Sequence, residues 1–164
     1  AVGLIFDPET ALQAHKAGIG GKINVRIGGK TDNRHGEPVE IEAYVKTLSD
    51  GIFIHRGPMM NGLVGNLGLM ATLTVCGIEI VLVSRREQLW DSEMLRIAGV
   101  EPSHKKLLVV KSAVHFRADF ESMATHIFDA DTPGIHRPDF SNYTYSSLRR
   151  PIYPIDKVSN WNYA

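Results

Sequence analysis

Four side chains able to hold or move charge fall within seven residues: Lys111, Ser112, His115 and Arg117. An ammonium and a guanidinium can hold a carboxylate or a developing oxyanion, and a histidine can pass a proton near neutral pH. A serine three residues before a histidine raises the question of nucleophilic chemistry. The surrounding residues lack the Gly-x-Ser-x-Gly elbow, however, and Ser112 at a strand-to-helix turn is also ordinary capping chemistry. A second set lies at residues 28–36, Gly-Gly-Lys-Thr-Asp-Asn-Arg-His-Gly. Consecutive glycines let backbone N–H groups converge on an anion, and Lys30 and Arg34 add positive charge. The spacing is not that of a Walker loop, and Asp32 and Asn33 equally supply the turn chemistry of a wide β connection, so both readings stand. The adjacent Arg85 and Arg86 either grip a carboxylate or phosphate or are simply solvated at a strand end.

Metal chemistry finds no compact motif. His15, His35, His55, His104, His115, His126 and His136 are scattered, without a His-Glu-x-x-His helix. The single cysteine, Cys76, rules out an intrachain disulfide and a thiolate zinc cluster, and its apolar run predicts a buried, inert thiol. No metal ligands are therefore assigned in this chain.

The elements that must position these residues follow from periodicity. Residues 107–110 predict a buried strand, and Phe116, Phe120 and Met123 then recur at helical spacing. Such a junction lies at the carboxyl end of a strand, where ligand crevices form in open α/β sheets. Near the start, Asp7 caps a helix with Pro8 in first position and Gly18 at its end, and His15 faces its last carbonyls. Alternation marks strands over 22–27 and 39–46, and Ser49-Asp50-Gly51 predicts a hairpin into 52–55. Residues 59–68 read as a glycine-rich loop whose Met59 and Met60 either form an adaptable contact surface or fill core gaps. A second hairpin joins 70–75 to 78–83 across Cys76-Gly77, Asp91 or Ser92 caps a short helix ending near Gly99, and 125–131 predicts a last strand.

Together these predict an α/β fold, with α+β as the alternative: a strand-rich mixed sheet with a few flanking helices in a single compact domain. Residues 1–134 form its core, and 135–164, irregular and rich in proline and tyrosine, form a tail packing on the core or a neighbour. Lysines and arginines (18) equal aspartates and glutamates (18), so charge gives no reason to expect nucleic acid or a membrane surface as partner. No apolar run is long enough to span a bilayer, and the cytoplasm is the default location. The chain opens inside a strand without a starting methionine, which predicts one domain of a longer polypeptide.

Several segments in this order carry a joint signature: residues 28–36, Gly57-Pro58-Met59, Ser84-Arg85-Arg86-Glu87-Gln88, residues 111–117 and Arg149-Arg150-Pro151-Ile152-Tyr153-Pro154. The series resembles the C-terminal domain of the microcystinase C (MlrC) family of zinc metallopeptidases, over roughly Ile5 to Asp156, departing at Leu69-Met70 where the family tends to have Pro-Thr. The resemblance implies a substrate-side accessory domain whose zinc ligands and hydrolytic residues sit in a preceding N-terminal domain. Its implied partners are that domain and a peptide or amide substrate; homo-oligomerisation stays open. Lys30, His35, Ser112, His115 and Arg117 are the implied substrate-binding residues, with no catalytic group expected in this chain alone. The rival reading is a non-catalytic module in which the same residues only stabilise the domain.

Overall fold

Two apolar runs separated by Cys76-Gly77 build the middle of the sheet. Met70–Val75 (β6) and Ile78–Val83 (β7) pair antiparallel, and both central residues of their turn have positive φ, 48° at Cys76 and 77° at Gly77. That geometry matches the right-handed twist of the strands it joins. It also puts Cys76 at the tip of the hairpin, exposed, and not in the core as its apolar neighbours predict. Around this pair the other strands complete a six-stranded mixed sheet in the order β2-β3-β6-β7-β1-β8. These are Val2–Phe6 (β1), Lys22–Ile27 (β2), Val39–Ser49 (β3) and Val109–Val110 (β8). Strands β7, β1 and β8 run parallel to one another and the remaining neighbours are antiparallel. A second, two-stranded sheet pairs Ile52–Ile54 (β4) with Val64–Asn66 (β5). The computed structural model describes residues 1–132 and 139–157. The architecture is α/β, a mixed sheet with few helices in one compact domain.

Period-two alternation divides the core between the two faces of the sheet. On one face Ala71, Leu73, Ile80 and Leu82 pack against Ala11 and Ala14 of the helix Pro8–Ala17 (α1). Alanines there let the helix lie close to the strands. Asp7 accepts the Thr10 N–H (3.0 Å) and starts α1, while Gly18, at φ 74°, ends it by donating to Ala14. On the other face Met70, Val81 and Val83 meet Trp90, Phe116, Phe120 and the helix Glu93–Arg96 (α2). Each fully buried aliphatic side chain, such as Leu82 on the first face or Leu95 on the second, contributes about 2 kcal/mol.

Several expectations fail for tertiary reasons. The run 107–110 forms only the two-residue edge strand β8, with Leu107 exposed, because it borders β1 alone. Residues 125–131 form no strand. The turn at Gly51 does not fold β4 back on β3; the chain leaves the main sheet there, and β4 instead pairs with β5, taken from the predicted loop 59–68. His15 donates to the Met70 carbonyl across the sheet (2.9 Å) rather than to carbonyls of its own helix. The helix after Phe116 is short, Arg117–Phe120 (α3) followed by a 3-10 turn to Met123. Of the tail, the described part makes local bonds such as the Arg150–Asp156 ion pair and Tyr145 to Phe140; Ile135, Pro138 and Tyr163 lie outside the described residues. No helix among the described residues is long and apolar enough to cross a membrane.

Candidate functional site

Parallel strands deliver their carboxyl ends to one edge, and three of the implicated segments start there. Phe6 ends β1, Val83 leads to Arg86, and Val110 leads directly to Lys111. The loop after β2 folds onto the same edge, since the Gly28 N–H donates to the Asp7 carboxylate (3.3 Å). Gly29 permits this fold: it has φ 58°, and a Cβ there would lie 2.6 Å from the backbone of Glu37 and Pro38, where the loop returns. The two loops enclose a pocket of about 80 Å³ with Ile5 and Phe6 at its base, the Gly28-Gly29 backbone along one side, and His35, Arg86 and Lys111 around it. Such a volume admits a carboxylate-sized group and falls short of the roughly 300 Å³ at which whole small-molecule sites begin.

Charge at this edge is unevenly matched. The Lys30 ammonium lies 3.0 Å from Asp7 and Thr10 and 3.1 Å from Glu9, so the glycine-lysine loop does grip an anion, namely the chain's own capping carboxylate. Arg86, by contrast, donates among the described residues only to the Thr31 hydroxyl (3.3 Å) and lies over the Phe6 ring, 4.8 Å from its centroid. Lys111 extends from the end of β8, and neither it nor Arg86 has a carboxylate partner among the described residues. His35 faces the pocket with its Nδ1 2.7 Å from Asp32. The Arg34 amide, then the His35 ring, hold the Asp32 carboxyl below its ordinary pKa. A larger groove of about 430 Å³ runs between α1 and β2, but its Glu9 and Lys30 already neutralise each other.

The stretch 111–117 divides in two. Gln88 donates to the Ser112 hydroxyl (2.6 Å), which also accepts the Phe116 N–H (3.2 Å). The Gln88 amide oxygen lies 3.1 Å from His115 Nδ1. That oxygen accepts, so His115 donates from Nδ1 in this arrangement. Arg117 faces elsewhere. Its guanidinium donates to both oxygens of Asp129 (3.1 and 3.0 Å), leaving it outside the pocket. The structure therefore brings His35 together with Lys111 and Arg86, turns Lys30 inward to Asp7, and ties Ser112 to His115 through Gln88.

One pair escapes sequence reasoning altogether. His55 and Asp91, buried at 5% and 0% exposure, meet at 3.0 Å. The Arg56 and Gly57 amides donate to the same Asp91 oxygen (3.1 and 3.0 Å), and the His55 ring stacks on Trp90 at 4.4 Å. Burial raises the Asp91 pKa, but the Glu93 and Gly57 amides and the His55 ring outweigh it and leave it below the ordinary value. Only the helix-capping role of Asp91 was visible beforehand, through its bond from the Glu93 N–H (2.9 Å). A partner 36 residues away leaves no local signal.

Among the described residues no group of three histidine, cysteine, aspartate or glutamate side chains can hold a metal ion. The donor set of the pocket, one histidine with an arginine and a lysine, does not fit a zinc centre.

Known proteins give this geometry a lineage. Microcystinase C of Sphingomonas sp is 26% identical over 157 residues, 96% of this chain and 29% of that protein. A candidate metallopeptidase from Mesorhizobium sp. BNC1, solved at 2.13 Å, shares the fold with a TM-score of 0.80 at 24% identity, over 99% of this chain and 32% of its own. The chain thus spans about a third of the length of these relatives. The family described as MlrC C-terminus matches residues 1–147, which takes in the glycine loop, the arginine pair and the strand end at Lys111. On that match, joined to the shared sheet, this chain belongs to the MlrC C-terminal family.

Proposed function

We propose that this chain forms the substrate-side wall of an MlrC-like zinc-dependent peptidase or amidohydrolase. Its metal and general base are supplied by the part of the relatives that lies beyond this region. The observation that carries this reading is the pair of cations without carboxylate partners among the described residues, Arg86 and Lys111, at a pocket too small to enclose a whole substrate. A carboxylate of a peptide or amide substrate fits between them, with His35 alongside. His115, held at Nδ1 by Gln88, follows Lys111 in the same loop and is a further candidate contact for the substrate. Lys30 supports the wall indirectly by fixing the glycine loop on Asp7, and Ser112 does so by holding Gln88 and the turn at Phe116. Zinc, when bound by the rest of the enzyme, would activate the hydrolytic water.

The test uses the family-length protein. Arg86→Ala and Lys111→Ala should each lower kcat/KM for a carboxylate-bearing peptide about 10- to 100-fold, with little change for an uncharged amide. Equal effects on both substrates, or none, would remove the wall from the chemistry. The rival reading, a purely structural module, draws on Arg117 being closed off by Asp129. It expects these variants to change melting temperature and leave kinetics alone.

A further inference from the structure

One projection of this chain carries a contiguous run of exposed apolar side chains. From Ile52 to Leu69, eighteen residues contain a single charged side chain, Arg56, in a protein that is 22% charged. This segment makes the β4–β5 arm, which pairs with no strand of the main sheet. Its inner face carries Phe53, His55 and Gly65, and Gly65 lacks a side chain because both rings lie against it. Its outer face carries Ile52, Ile54 and Val64, exposed at 55%, 57% and 72%, with Ile54 directly opposite Val64. Met59, Met60 and Leu63 add roughly half-exposed apolar side chains at the tip. An antiparallel pair with one covered face normally turns polar residues to water, so three aliphatic side chains there are out of pattern.

The exposure is not that of a loosely hanging hairpin. The buried His55–Asp91 bond, the two amides on Asp91 and the stack on Trp90 fix the arm to the core. At its root Leu67 accepts from the Arg85 N–H and Leu69 from the Ser84 N–H (2.9 and 3.0 Å), one residue before Arg86. The root of the arm therefore adjoins the strand end that carries Arg86. Within residues 52–69 Arg56 is the single cation, fewer than the cluster of about four or more that marks a lipid-binding segment. What the relatives do have is mass to place: this chain accounts for 29% and 32% of their lengths.

We propose that the outer face of the β4–β5 arm seats the remainder of the family-length protein through an apolar surface, placing that remainder over Arg86 and Lys111. The inference rests on the reading that the pocket is completed from outside this chain. The test compares hydrogen–deuterium exchange of peptides covering residues 52–64 in this chain alone and in the family-length protein, each at low and high concentration. Exchange slows about tenfold or more in the longer protein at both concentrations, and Ile54→Lys with Val64→Lys restores the fast rate. Equal exchange in the two forms overturns the proposal. So does protection in this chain alone that grows with concentration, which would make a second copy the occupant. The comparison on unsubstituted protein decides even where the double variant folds poorly. Arg86→Ala and Lys111→Ala leave the arm's protection unchanged, so silent kinetics with a protected arm would refute the pocket reading and spare this one.

Discussion

Two halves of one sheet edge treat positive charge in opposite ways. At the start of α1, Lys30 sits among Asp7, Glu9 and Thr10, and Asp7 also takes the Gly28 N–H, so the chain provides its own anion. Across the pocket, Arg86 has a hydroxyl and a ring for company and Lys111 has no carboxylate among the described residues. The residue types are alike. What differs is whether a neighbouring element brings a carboxylate within reach: α1 does so for the first half, whereas Arg86 and Lys111, beyond the ends of β7 and β8, meet none among the described residues. A self-neutralised cluster contributes to stability, while an unmatched one is available to a ligand.

The contrast can be broken most severely at Asp7. Asp7→Ala removes the α1 cap, the Gly28 contact and the Lys30 partner together, and should cost about 3 kcal/mol in urea unfolding. A loss under about 1 kcal/mol would mean that this half is no more structural than the other. Asp91, a second carboxylate that the fold supplies to its own donors, sharpens the point through pH. Because its folded pKa is depressed, its contribution is present above the unfolded value of about 4 and disappears as pH falls through the folded one. Asp91→Asn should therefore cost about 2 kcal/mol at neutral pH and flatten the acid limb of the stability profile; a parallel profile would refute the assignment. The smallest effect belongs to the unmatched half. Lys111→Ala should leave stability within about 0.5 kcal/mol of the parent, and a larger loss would expose a structural partner for that ammonium.

Local grammar was readable wherever neighbours in sequence are neighbours in space. The Asp7-Pro8 start and Gly18 stop of α1, the alternation of β2 and β3, and the β6–β7 hairpin all depend on contacts within a few residues. The failures cluster where a distant element decides. A valine-leucine run reads the same in the middle of a sheet or at its rim, so β8 was misplaced. A glycine turn does not say which strand will be paired after it, so β4 was assigned to β3 rather than β5.

The same division holds for the site. The sequence by itself determined which side chains bear charge, that two loops follow strands, that no compact metal motif is present, and, through the ordered motifs, the family. The tertiary structure alone decided which cations lack a carboxylate among the described residues, that Gln88 joins Ser112 to His115, and that His55 and Asp91 meet across 36 residues. The physical reason is range. Side-chain type and turn chemistry are properties of adjacent atoms, whereas neutralisation and burial depend on what the packed sheet carries to within 3 or 4 Å, and chain spacing does not encode that distance.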